Sequence, residues 1–131
     1  MRPITHAARR RVLIVDDEPR LGKTLELLLA DAHDVLYARS VDEARALLAR
    51  EPDVDAILCD LLLDGESGMD LHAWIERAHP LLARRMIFMT GGAYTKAARD
   101  FLGRVPNPRL EKPFRIEDVE ALLARIEPPA A

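Results

Sequence analysis

Five side chains of this sequence could do chemistry together: Asp16, Asp17, Asp60, Thr90 and Lys112. Three carboxylates brought to one place raise one another's pKa and repel. A hard divalent cation relieves that repulsion, and an oxygen-only site with water in its remaining positions suits Mg²⁺. A lysine adds a point cation, and a threonine adds a hydroxyl donor. Carboxylates, a divalent metal, a lysine and a hydroxyl make a site for a phosphoryl group, because metal and lysine spread the charge of a loose phosphoryl-transfer transition state. One of the carboxylates can serve as nucleophile and become an aspartyl phosphate.

These residues matter only if the chain brings them together. Asp60 ends the apolar run Ala56-Ile57-Leu58-Cys59, which reads as a strand buried on both faces. Asp16 and Asp17 follow the run Arg11 to Val15, a first strand. Thr90 ends a fourth strand that starts at Arg85, and Lys112 follows a short, charged fifth strand, Arg109-Leu110-Glu111, flanked by prolines as an edge strand is. Val35 to Ala38 is the second strand. Helices are expected between them. Pro19 opens the first, with Leu21, Leu25, Leu28 and Leu29 on one face. Ser40 and Glu43 propose a capping box for the second, which carries Ala44, Leu47 and Leu48 inward and ends near Pro52. The third carries Leu71, Trp74, Ile75 and Ala78 and stops at His79-Pro80. The fourth is expected from Tyr94 to Leu102 with Gly103 as its C-terminal cap. The fifth, Ile116 to Ile126, faces Val119, Leu122, Leu123 and Ile126 inward.

Five alternations of strand and helix call for a parallel sheet with helices on both faces. The expected fold is α/β, a flavodoxin-like doubly wound (βα)5 with strand order 2-1-3-4-5. Its switch point between the first and third strands is where such sheets bind ligands. Asp16, Asp17 and Asp60 end those strands.

The 131 residues suit one domain, taken as residues 11–127 between a loose tail at 1–10 and another at 128–131. That length leaves no room for a DNA-binding or enzymatic output domain. A net charge of −3 without a basic stripe argues against a direct nucleic-acid partner. One cysteine, Cys59, excludes an internal disulfide and fits a reducing compartment, the cytoplasm. As part of the buried run it reads as a core residue. No apolar stretch is long enough for a membrane span. Gly22-Lys23-Thr24 lacks the first glycine of a P-loop, since position 17 is aspartate. His6, His33, His72 and His79 do not cluster at ligand spacing and read as surface or helix-end residues. Trp74 and Phe101 read as packing residues.

The ordered set of Asp16-Asp17, Asp60, Thr90 and Lys112-Pro113-Phe114, each at a strand end, resembles the response-regulator receiver domain of bacterial two-component signalling, over about Arg11 to Ile126. The resemblance implies that Asp60 takes a phosphoryl group from the phosphohistidine of a histidine kinase or histidine phosphotransfer protein. It implies Mg²⁺ as cofactor, held by Asp17 directly, by Asp16 partly through water, by Asp60 and by the backbone carbonyl of Leu62. Lys112 would pair with a phosphoryl oxygen, Lys112–Pro113 would be cis, and Thr90 would move toward the phosphoryl group. That movement would reset the face of the fourth helix, fifth strand and fifth helix, where a downstream protein would dock. The module would be a monomer or weak dimer and no enzyme beyond its own phosphorylation and dephosphorylation. Met-Thr-Gly-Gly-Ala at 89–93 and Leu-Glu-Lys-Pro-Phe at 110–114 tilt the reading toward the terminal receiver of a hybrid kinase rather than a stand-alone receiver.

The sequence departs from the family in places. Arg109 stands where an aromatic partner of the threonine is usual, so the resemblance does not extend to the aromatic switch. Asp64 replaces a usual proline and reads as a solvated turn residue. The Gly-Ala pair often seen before the fifth strand is missing, which suggests a short or mobile fourth helix. Leu62 and Gly92 occupy positions that tune hydrolysis, and neither can orient water, so a short-lived phosphorylated form is not expected. Two rivals stand beside the receiver. An aspartate-nucleophile phosphatase would want an acid two residues after Asp60, where Leu62 stands. A degenerate receiver, binding partners without phosphorylation, draws support from Arg109 alone.

Overall fold

The computed structural model describes residues 9–51, 53–63, 65–92 and 95–126. Five strands form one parallel sheet in the order β2-β1-β3-β4-β5: β1 (Arg11–Val15), β2 (Asp34–Ala38), β3 (Ala56–Asp60), β4 (Met86–Thr90) and β5 (Arg109–Glu111). Between and after them run α1 (Pro19–Leu29), α2 (Val41–Arg50), α3 (Gly68–Ala78), α4 (Pro80–Ala83), α5 (Lys96–Arg104) and α6 (Ile116–Ala124). This is the flavodoxin-like order expected from the alternation of strand and helix.

The two-residue period of the strands splits the core into two layers. Leu13, Val15, Ile57, Cys59, Met86 and Phe88 face one side, with Ala44 and Leu48 of α2, Leu71 and Ile75 of α3, and Ala98 and Phe101 of α5. Val12, Ile14, Leu58, Ile87, Met89 and Leu110 face the other, with Leu25 and Leu29 of α1 and Val119 and Leu123 of α6. The central strands β3 and β4 are buried at every position, as uninterrupted apolar runs in a covered parallel sheet must be.

Local chemistry explains the element ends. Ser67 and Asp70 make a full capping box at α3. At α2 the Ser40 hydroxyl accepts from the Glu43 N–H, but the Glu43 carboxylate reaches the Arg39 N–H, so the expected box is only half made. Leu47 of that helix is only partly buried. Pro80 does end α3 and, with its preset φ, also opens the extra turn α4; the expected fourth and fifth helices are therefore α5 and α6. Ala78, expected inward, is exposed at the end of α3. Gly103 does not cap α5. The helix runs through it to Arg104 and stops because Pro106 forces Val105 into extended backbone. Thr95 is the N-cap of α5, and the expected start at Tyr94 lies outside the described residues, as do Pro52 and Asp64.

The expected N-terminal tail ends earlier than residue 10. Arg9 pairs with Asp34 at 2.9 Å, and Arg10 is buried, its guanidinium donating to the Ile126 carbonyl and its backbone N–H to Nδ1 of His33. Residues 1–8 and the C-terminal tail 128–131 lie outside the described residues. Two histidines read as surface residues are buried. His33 donates through Nε2 to Glu120 at 2.8 Å, tying the α1–β2 turn to α6. His72 packs edge-on against Phe101 with ring centroids 5.2 Å apart, and Phe101 meets Phe88 in the same way.

Candidate functional site

The crevice lies at the carboxyl ends of β1 and β3. Asp60 is the last residue of β3, and its backbone is fixed on both sides. Leu61 N–H donates to the Met89 carbonyl, and Gly68 N–H donates to the Leu61 carbonyl. Gly68 has to be glycine, because a Cβ there would fall 2.6 Å from the Asp60 carbonyl oxygen. α3 therefore starts hard against the tip of β3 and clamps it. The two Asp60 oxygens have different partners: Oδ1 accepts from the Leu62 N–H at 3.1 Å, and Oδ2 accepts from Lys112 Nζ at 3.1 Å.

Asp16 leaves the end of β1 fully buried, while Asp17 beside it is half-buried. Asp16 Oδ1 accepts from the Glu18 N–H at 2.7 Å, and Oδ2 lies 3.4 Å from Lys112 Nζ. Each of Asp16, Asp17 and Asp60 offers an oxygen, and these oxygens lie within 4.8 Å of one another. Burial pushes the Asp16 carboxyl above the ordinary carboxylate range; the Glu18 N–H and Lys112 work against this, and the charge of Asp60 adds to it. For Lys112 burial works downward, and the Asp60 and Asp16 carboxylates overcome it, holding the ammonium above its ordinary range. Lys112 reaches the crevice because its backbone N–H continues the β4–β5 ladder, donating to the Thr90 carbonyl at 2.7 Å. The Lys112–Pro113 bond is cis.

Thr90 ends β4 and is 2% exposed, opposite Glu111 in the sheet register. Asp16, Asp17, Asp60 and Lys112 are thus brought to one crevice, with Thr90 at the end of the adjoining strand. The Leu62 side chain is 46% exposed and its N–H points at Asp60. Arg109 is exposed at the start of β5 and lies outside the carboxylate cluster. Cys59 is fully buried, its thiol donating to the Asp60 carbonyl; burial pushes the thiol far up, which leaves it inert.

The sequence reading missed three residues that shape the site. Gly68 clamps β3. Tyr37, near the end of β2, donates its hydroxyl to the Asp16 carbonyl at 2.9 Å. Gly22 of α1 leaves room for the Tyr37 ring. Burial first, and the Asp16 charge second, raise the Tyr37 pKa, so the phenol stays a donor. The only signal in the sequence was a glycine inside a helical pattern, which asks for a packing reason.

The donor set suits Mg²⁺: all oxygen, three carboxylates, and a lysine already compensating two of them. Among the described residues, no helix is long and apolar enough to cross a membrane.

The profile of the response regulator receiver domain matches residues 12–125. The response regulator PilR of Pseudomonas aeruginosa is 44% identical over 89 residues, which are 67% of this chain and 20% of that protein. The hydrogenase transcriptional regulatory protein HoxA of Cupriavidus necator is 41% identical over 76 residues, 58% of this chain and 16% of that one. Among solved structures, a response regulator receiver protein from Pseudomonas putida superimposes with a TM-score of 0.76 at 28% identity, covering 88% of this chain and 96% of that chain. A receiver domain protein from Clostridium thermocellum gives 0.77 at 25% identity, covering 87% and 90%. The chain thus spans a fifth or less of the length of the first two relatives. Their names describe response and transcriptional regulators, so a hybrid-kinase origin gains no support from them. The expectation of no nucleic-acid partner does not fit such relatives; it rested on the charge of these residues alone. With the strand order, the crevice and the profile in agreement, this chain belongs to the response-regulator receiver family and is a module of two-component signalling.

Proposed function

We propose that the chain accepts a phosphoryl group on Asp60 from the phosphohistidine of a histidine kinase or phosphotransfer protein. The observation that carries this is the convergence of Asp16, Asp17 and Asp60 within 4.8 Å, with Lys112 Nζ between Asp16 and Asp60. An Asp60 carboxylate oxygen forms the bond to phosphorus as the donor's P–N bond breaks, the imidazole nitrogen keeping the bonding pair. Asp16, Asp17, Asp60 and the Leu62 carbonyl would hold Mg²⁺, which when bound offsets the charge of the transferring group and of the carboxylates. Lys112 gives a charge-assisted hydrogen bond to the incoming oxygens. Thr90 supplies a hydroxyl from the adjoining strand, and its movement biases the α5–β5–α6 face toward a protein partner. Arg109 replaces the usual aromatic on that face, so the output uses another lever there. The chain promotes only its own phosphorylation and its own dephosphorylation, in which water takes the phosphoryl group from Asp60 and inorganic phosphate leaves, in the cytoplasm and without turnover of a separate substrate.

The test is intact-protein mass after incubation with acetyl phosphate, for the native chain, for Asp60→Asn and for a no-metal control. One added phosphoryl group that needs Mg²⁺ and vanishes in Asp60→Asn is expected. Folded protein that binds Mg²⁺ and forms no adduct would leave the phosphorylation-independent module as the reading. Steady release of phosphate from a phosphomonoester would favour the phosphatase.

A further inference from the structure

Besides Lys112, Asp16 is held at three points. Its backbone N–H donates to the Ala38 carbonyl at 3.1 Å, its carboxylate accepts from Glu18, and its carbonyl accepts from the Tyr37 hydroxyl at 2.9 Å. The last bond acts on the peptide group that joins Asp16 to Asp17. Fixing that carbonyl fixes the plane of the peptide and hence the direction in which the Asp17 carboxylate leaves the backbone. The first two holds are local consequences of the β1–β2 ladder and the β1–α1 turn. The third comes from a side chain on the neighbouring strand, which the turn itself does not require.

Room for that side chain has been made on a second element. Gly22 lies in the second turn of α1, where glycine is a poor helix former. An added Cβ at position 22 would fall 2.3 Å from Tyr37 Cε1 and Cζ and 2.6 Å from its hydroxyl oxygen. No side chain larger than hydrogen fits beside the ring in this position. The helix gives up propensity at 22, and the structural return is the seat of the Tyr37 ring under the acidic turn.

We infer that Tyr37 and Gly22 form a positioning pair for the metal-binding carboxylates: Gly22 seats the Tyr37 ring, and the Tyr37 hydroxyl orients the Asp16–Asp17 peptide. This rests on the reading of Asp16, Asp17 and Asp60 as a Mg²⁺ site and adds two residues that do not touch the ion. Tyr37→Phe keeps the ring and removes the donor. Gly22→Ala keeps the donor and displaces the ring. Both break one and the same hydrogen bond, so their effects on the site overlap rather than add.

The experiment is calorimetric titration of Mg²⁺ into the native chain, Tyr37→Phe, Gly22→Ala and the double variant, with melting of each in EDTA. Tyr37→Phe is expected to bind Mg²⁺ about fivefold more weakly, the worth of one net hydrogen bond. Gly22→Ala should weaken binding at least as much, and the double variant should be no weaker than the weaker single. Native-like Mg²⁺ affinity in Tyr37→Phe overturns the inference, as does a change confined to the melting temperature in EDTA, which would mark simple packing. Fully additive losses overturn the pairing. A native chain that binds no Mg²⁺ overturns the metal reading itself and the inference with it, an outcome told apart by the first titration alone.

Discussion

Replacing Asp16 with asparagine should stabilise the metal-free protein while costing it its response to Mg²⁺. Asp16 is fully buried, and its oxygen lies within 4.8 Å of oxygens of Asp17 and Asp60. At that separation and an effective dielectric constant of about 20, each repulsion is worth ~3.5 kcal/mol. Lys112, 3.4 Å away, returns ~5 kcal/mol on the same scale. The repulsions and the Lys112 attraction largely offset, and burial of the Asp16 charge, the largest influence on it, tips the balance against the carboxylate by ~1–2 kcal/mol. Asparagine keeps the oxygen that accepts from Glu18, so the turn survives. In EDTA the variant should melt roughly 4–8 °C above the native chain. With Mg²⁺ at a hundred times its dissociation constant the native chain gains ~2.7 kcal/mol and draws level or passes it, while the variant gains little. Thermal melts of both proteins in EDTA and in Mg²⁺ measure all four values. A variant that melts below the native chain in EDTA would refute the claim that the buried Asp16 charge costs stability without metal. A variant with the full Mg²⁺ gain would refute Asp16 as part of the site.

Gly68→Ala sets a methyl 2.6 Å from the Asp60 carbonyl oxygen, a backbone atom that cannot swing away; urea unfolding should show a loss of ~1–3 kcal/mol, and a native-like midpoint would show that the clamp yields freely. Burial holds the His72 imidazole below its ordinary pKa of 6.5. The unfolded chain therefore takes up a proton first, and stability present above that pH is lost as pH falls through it toward the folded value. His72→Leu should flatten this part of the profile, read from urea midpoints at pH 7.5 and 5.5, and an identical slope in both proteins would exclude His72 as its source. Neither Leu62 nor Gly92 can orient a hydrolytic water, so the phosphorylated form should persist for minutes or longer at room temperature in Mg²⁺; loss of the mass adduct within seconds would refute that.

The parallel sheet was legible because strand and helix alternate along the chain, and the acidic crevice because its carboxylates end apolar runs that read as strands. Ala56 to Cys59 is apolar at every position, and β3 is buried at every position. A strand of this kind can sit only in a covered sheet, and the residue that ends it must lie on the ligand side. Lys112 was legible for a similar reason, since a short charged strand flanked by prolines has to be an edge. The errors fall where an outcome depends on two segments at once. His33 looked like a helix-end residue until Arg10 and Glu120 closed on it from both ends of the chain. Gly103 fits a helix cap by its type alone, but Pro106 sets Val105 extended, and the helix ends there instead.

Gly22 and Tyr37 carry this further. Each alone reads as a defect or as filler: a glycine that weakens a helix, and an aromatic on a short strand at the edge of the sheet. Their meaning exists only in the packing of α1 on β2, where the lack of a side chain on one makes room for the ring of the other. The sequence can announce the groups that do chemistry, because their types are few and their places at strand ends are fixed by topology. The groups that aim them are chosen by shape across elements. In this crevice they are a hydrogen atom at 22, a phenol at 37 and another missing side chain at 68, and only the first carried any signal in one dimension.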